Sequence, residues 1–218
     1  MSLRETIVEQ FRRPSGPLGS LAGAIMATRP SNRLRNSWTV ALLAIEPADR
    51  VLEVGCGPGL ALRACSARAT EGDVTGLDHS TIMLRQAMRR NAGDVARGHV
   101  HLRLGDIDTF KQVAPQFDKA FSVNVIQFVP DKAAFFVALH SVVKPGATVA
   151  TTYQPRHRNP TRADAIDMAK TIAAAMGLAG FVDITTEELP LRRVPAVCVL
   201  GRTPQDTSQA SLNPYGRK

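Results

Sequence analysis

Val51-Leu52-Glu53-Val54 runs directly into Gly55-Cys56-Gly57-Pro58-Gly59. An apolar strand that ends in alternating glycines lets the backbone turn sharply and come close to a ligand. The helix that follows then presents its unpaired N–H groups there. The spacing is not that of a dinucleotide site, which needs a glycine at position 60, where this chain has Leu60. Glu53, two residues before the first glycine, is awkward beside an anionic pyrophosphate and suits a ligand that carries positive charge. Further carboxylates close the next two apolar runs, at Asp78 and in Gly105-Asp106. Tyr153 and His157 lie at and just past a fifth strand, the ligand-facing edge of a parallel sheet, and are the candidates for a base or an acceptor contact. Three cysteines, Cys56, Cys65 and Cys198, are too few and too scattered for a disulfide framework or a zinc site, and no metal is expected.

The elements that must position these groups follow from the hydrophobic pattern. Leu34, Trp38, Leu42 and Ile45 recur at helical spacing and predict a helix over 31–45. Short apolar strands are expected at 51–54, 73–77, 100–104, 117–123, 147–153, 181–189 and 196–200. Helices are expected between them, over 60–68, from an N-cap at Ser80, from Pro130-Asp131 and over 164–176, with a turn at Lys144-Pro145-Gly146. Alternation of strand and helix means parallel β-α-β units. The link through Arg192-Arg193-Val194-Pro195 is too short for a parallel crossover, so the last two strands must pair antiparallel at the sheet edge.

Taken in order, these residues resemble the class I S-adenosylmethionine-dependent methyltransferases, over about residues 34–202. Glu53-x-Gly55-x-Gly57-x-Gly59 is similar to their first motif. Gly76-Leu77-Asp78-His79-Ser80-x-x-Met83-Leu84 is similar to the small-molecule branch that includes quinone methyltransferases (type 11). Gly105-Asp106-Ile107, the run from Asp118 to Gln127, and Lys144-Pro145-Gly146 match further landmarks. The resemblance implies a three-layer Rossmann-like α/β fold with a seven-stranded, mainly parallel sheet and an antiparallel last strand. It implies S-adenosylmethionine as cofactor, S-adenosylhomocysteine as product, and cofactor contacts from Glu53, Gly55, Cys56, Gly57, Gly59, Asp78, His79, Met83, Asp106, Ile107, Asn124 and Gln127. Asp78 would bond both ribose hydroxyls, His79 and Met83 would sandwich the adenine, and Asp106 would accept its amino group. Met83 also fits a core position, and Asn124 and Gln127 also fit caps of the next turn. His79 replaces a more usual apolar residue but can still stack. Asn124-Val125-Ile126-Gln127 lacks the two prolines of the amino-methylating branches, which argues against methylation of base or glutamine nitrogens.

The 218 residues, 44% hydrophobic and 21% charged, have ordinary globular composition and fit one main domain. No run approaches the length of a membrane span, and Met1 to Phe11 lacks the pattern of a secretory leader, so a cytoplasmic protein is expected. Twenty-seven basic against nineteen acidic residues give +8, which favours anionic partners or serves solubility alone. The expected organisation is a helical lid over 1–45, a catalytic core over 46–203 and a loose tail over 204–218. Met26, Trp38 and Tyr153 are candidates to line the acceptor pocket. The expected activity is O- or C-methylation of an apolar or anionic small molecule, by a monomer or homodimer. RNA methylation is the alternative the charge suggests, with few aromatics and no appended RNA-binding domain to support it. A protein that binds the cofactor without catalysis is the third reading.

Overall fold

The computed structural model describes residues 30–110 and 117–205. The elements in chain order are α1 (Pro30–Leu42), β1 (Arg50–Val54), α2 (Leu60–Ser66), β2 (Asp73–Asp78), α3 (Thr81–Arg90), α4 (Ala92–Ala96), β3 (Val100–Leu104) and α5 (Ile107–Phe110). They continue with β4 (Phe117–Val123), a 3-10 turn (Ile126–Phe128), α6 (Lys132–Val142), β5 (Val143–Tyr153), α7 (Arg162–Leu178), β6 (Val182–Leu189) and β7 (Ala196–Arg202).

The strands form one sheet of seven in the order β3-β2-β1-β4-β5-β7-β6. β1 to β5 pair in parallel, and β7 runs antiparallel to both β5 and β6. The last two strands thus pair antiparallel, as the short link requires, and β7 rather than β6 lies beside β5. Alternate residues of each strand serve opposite faces. Leu52, Val54 and Val149 join Phe135, Phe136, Leu139, Ile172 and Met176 of α6 and α7 on one face. Val51, Phe121 and Ala150 join Val40 of α1, Leu43 just past its end, and Ala61 and Leu62 of α2 on the other. Edge-to-face contacts of Phe136 with Phe135 (5.3 Å) and with Phe181 (6.3 Å) fill the first core.

Three local features depart from the pattern read in the sequence. The buried stripe of α1 is Asn32, Arg35 and Thr39 with Val40, while Leu34 is 50% exposed and Trp38 only partly buried. The helix is rotated because its polar side chains find partners at the end of β5: Thr39 Oγ1 lies 2.7 Å from Thr152 Oγ1, and Arg35 donates to Gln154. The expected turn at 144–146 is absorbed into β5, where Val143 pairs with Phe117 before a register shift and Gly146 takes φ +76°. Helix α7 starts earlier than expected, on a capping box in which Thr161 and Asp164 each accept from the other's backbone N–H.

Candidate functional site

The parallel strands end on one edge, and the turn after β1 lies at its centre. Gly55 and Cys56 both donate backbone N–H bonds to the Leu77 carbonyl of β2, at 2.7 and 3.0 Å. Gly55, Gly57 and Gly59 all have positive φ, +70°, +51° and +74°. Their surroundings differ. A Cβ on Gly55 would come within 2.4 Å of Val125 Cγ2, and one on Gly59 within 2.9 Å of the Ala87 Cα. A Cβ on Gly57 would meet nothing within 4 Å. Gly55 and Gly59 therefore permit packing, whereas Gly57 borders open space, as a backbone kept bare for a ligand would.

Two carboxylates stand beside this turn. Asp78, 6% exposed, accepts from Gly57 N–H on Oδ2 and from Ser80 N–H on Oδ1, each at 2.8 Å. Burial raises its pKa above the ordinary carboxylate value, against the pull of these two backbone donors. Glu53, 2% exposed, faces the α2 side of the sheet, and its Oε2 has no hydrogen-bond partner among the described residues. Burial first, and the charge of Asp78 second, push its pKa well above the ordinary value. A buried carboxylate with an unmet oxygen next to a bare glycine turn can receive hydrogen-bond donors or positive charge.

The remaining residues singled out by sequence distribute around that centre. Gly105 N–H donates to the Asp78 carbonyl at 3.0 Å, which brings the β3 tip and Asp106 beside the β2 tip. Asp106 is exposed and Ile107 is buried. Met83 is 2% exposed yet belongs to neither core cluster, and its N–H is taken by the Ser80 cap. His79 is exposed, with Nδ1 4.0 Å from Asp78 Oδ1. Cys56 is a buried filler whose thiol is pushed up by burial. At the β4 tip Asn124 takes φ +56°, its Oδ1 accepts from Gln154 N–H at 2.9 Å, and its carbonyl accepts from Gln127 Nε2 at 2.7 Å. Gln127 Oε1 is buried without a partner among the described residues.

Other candidates lie differently. Tyr153 packs into the α6/α7 core with a phenol pushed up by burial, away from the phenolate a base requires. His157 is exposed and faces the Arg158 carbonyl and Asp164, at the start of α7. Trp38 packs against the α1/α2 core. Met26 and the rest of the expected lid before Pro30 lie outside the described residues, as does the tail from residue 206. Pro30–Leu42 itself packs on α2, β4 and β5, so the expected boundary at 45/46 falls just after a helix that shares the core. Sequence reading missed Val125 beneath Gly55, and Asn91, whose Nδ2 donates to the Gly59 carbonyl at 3.1 Å. It also missed Arg35, Asn32, Gln154 and Arg156, which meet at the β5 end. Apolar periodicity carries no signal for such polar contacts. Among the described residues no helix is long and apolar enough to cross a membrane, and no cluster of His, Cys, Asp or Glu could hold a metal.

Known proteins resemble this chain in sequence and in fold. The family described as "Methyltransferase domain" matches residues 51–146. An uncharacterized methyltransferase of Bacillus subtilis, YdaC, is 32% identical over 184 residues, which cover 84% of this chain and 98% of that protein. The malonyl-[acyl-carrier protein] O-methyltransferase of Salmonella typhimurium is 39% identical over 102 residues, 47% of this chain but only 38% of that protein. The crystallised phosphoethanolamine N-methyltransferase 2 of Haemonchus contortus, bound to phosphomonomethylethanolamine and S-adenosylhomocysteine, superposes with a TM-score of 0.62 at 17% identity. That match covers 79% of this chain and 53% of that one, and it speaks for the fold alone.

Proposed function

The chain belongs to the class I S-adenosylmethionine-dependent methyltransferases, and on that premise we propose that it methylates an oxygen or carbon of a small-molecule acceptor at the edge formed by the β1, β2 and β4 tips. S-Adenosylmethionine supplies, when bound, a methyl group on a positively charged sulfur with a neutral leaving group. The chain's part is to hold, orient and dehydrate.

The observation that carries the reading is the pairing of Glu53, buried with an unmet oxygen, and Asp78 around the open Gly57 turn. In this reading each Asp78 oxygen keeps a second lone pair for a ribose hydroxyl after taking its backbone donor. Gly55, Cys56, Gly57 and Gly59 lie under the amino-acid part, with Glu53 receiving positive charge. His79, Met83, Asp106 and Ile107 surround the base, and Asn124 and Gln127 border the reacting methyl. A phenolate, carboxylate or enolate acceptor needs placement and loss of water more than a base, which suits a site where Tyr153 and His157 are engaged elsewhere. The Salmonella relative's O-methyltransferase name, and the absence of prolines after Asn124, support oxygen over nitrogen as the target.

Calorimetric titration of S-adenosylhomocysteine into the protein and into its Glu53→Gln and Asp78→Ala variants tests the placement. Unchanged affinity in both variants would refute it. Radiolabelled methyl transfer to phenols, carboxylic acids and RNA tests the acceptor class.

A further inference from the structure

We propose that Arg35 and Arg156 form a receptor for an oxyanion, a carboxylate or phosphate group, carried by the methyl acceptor. The inference deepens the function just proposed and rests on it.

Arg35 is 1% exposed. One of its terminal nitrogens donates to Gln154 Oε1 and the other to Asn32 Oδ1, both neutral amides. Its Nε is buried without a partner, and no carboxylate among the described residues pairs with it. A guanidinium withdrawn from water with only amide dipoles around it is costly, and chains retain such groups where a charge is to be met. Burial first, and Arg156 second, push its pKa down to about 9, the direction expected of a cation awaiting an anion.

The second guanidinium makes the case. Arg156 Nη2 donates to the same Asn32 Oδ1 at 2.8 Å. Two cations thus converge on one neutral oxygen. A carboxylate or phosphate offers two or three oxygens and full negative charge, and planar guanidinium forks bind such groups in pairs of parallel hydrogen bonds. An oxyanion would relieve Asn32, meet the idle Nε and end the repulsion between the two cations.

The position fits an acceptor rather than the nucleoside. Gln154, which holds Arg35, donates its backbone N–H to Asn124 at the β4 tip. The next residue, Val125, is the one that faces Gly55. The receptor therefore stands on the strand edge beside the end of β4, on the far side of β4 from Asp78.

Trp38, the sole tryptophan, lies one turn along α1 from Arg35 and gives a local fluorescence signal. Succinate, inorganic phosphate and neutral succinamide are titrated at constant ionic strength, with and without saturating S-adenosylhomocysteine. The expected result is a saturable response to succinate or phosphate and none to succinamide. The stronger of the two anions identifies a carboxylate or phosphoryl acceptor. Arg156→Gln, at an exposed position that leaves the core intact, weakens the anion about tenfold or more, and so does Arg35→Lys, which keeps charge but loses the fork. S-Adenosylhomocysteine affinity stays unchanged in both variants. No saturable response, an equal response to succinamide, or full anion affinity in Arg156→Gln would overturn the receptor. Failure of S-adenosylhomocysteine to bind the parent protein would instead overturn the proposed function, while the titration without it still decides the receptor.

Discussion

The backbone N–H of Gly57 donates to Oδ2 of Asp78 at 2.8 Å, and this bond joins the turn after β1 to the tip of β2. The other oxygen takes Ser80 N–H at the same distance, so one carboxylate sets the positions of two loops. Only an acid at 78 can accept on both sides. Asp78→Asn must turn an NH2 group against one of the two donors. The expected cost is roughly 1–3 kcal/mol of stability, read by thermal unfolding. Calorimetry should show S-adenosylhomocysteine affinity reduced about tenfold or more. A variant as stable and as tight as the parent would mean that the bond is incidental.

Glu53 gives a prediction of opposite sign for stability and binding. Its pKa in the folded protein lies above the ordinary 4.5, with burial the main cause. Between those two values the folded chain binds the proton more tightly than the unfolded one. Stability from this group is therefore complete below the ordinary value and is lost as pH rises through the folded one. Glu53→Gln removes that loss. The ligand-free variant should melt higher than the parent, with a difference that grows from acidic to mildly alkaline buffer. The scale is about 2–4 °C for each kcal/mol recovered. Cofactor affinity should fall in the same variant. A melting difference that shrinks as pH rises would contradict the assignment.

The glycines of the turn should separate by experiment. Gly57→Ala faces open space and bears only its left-handed backbone, about 1–2 kcal/mol. Gly59→Ala adds a clash with the backbone of Ala87, for a total of roughly 2–5 kcal/mol. Thermal unfolding should therefore rank Gly59→Ala well below Gly57→Ala. Gly57→Ala should fold and lose S-adenosylhomocysteine affinity. If it binds like the parent, Gly57 does not border the ligand.

Thr161→Ala removes the cap of α7 and one half of its reciprocal bonds with Asp164. About 1 kcal/mol should be lost, a fall of about 2–4 °C in Tm. S-Adenosylhomocysteine affinity should not move, since the cap lies at the start of α7, away from the glycine turn.

The parts of this fold governed by apolar pattern and turn chemistry were legible in the sequence. The β1 strand with its glycines, the Ser80 cap and the antiparallel final pair all follow from residue type and spacing. Helix α1 was harder. Leu34, Trp38 and Leu42 suggest one face, but the chain buries Asn32, Arg35 and Thr39, because each finds a hydrogen-bond partner that only the folded neighbourhood supplies. The same reason hid the meeting of Arg35 and Arg156, whose shared partner is three residues from one and far in sequence from the other. Glycine spacing announced the turn, yet only the surroundings of each glycine distinguish Gly57 from Gly55 and Gly59.

Strand β7, the last strand among the described residues, is seated between β5 and β6 rather than at the rim. Until residues 196–202 are in place, β5 and β6 each lack this ladder partner, and a gap in the sheet is left where β7 belongs. The sheet cannot be completed strand by strand as it emerges, and the nascent chain must keep that gap from capturing a strand of another molecule.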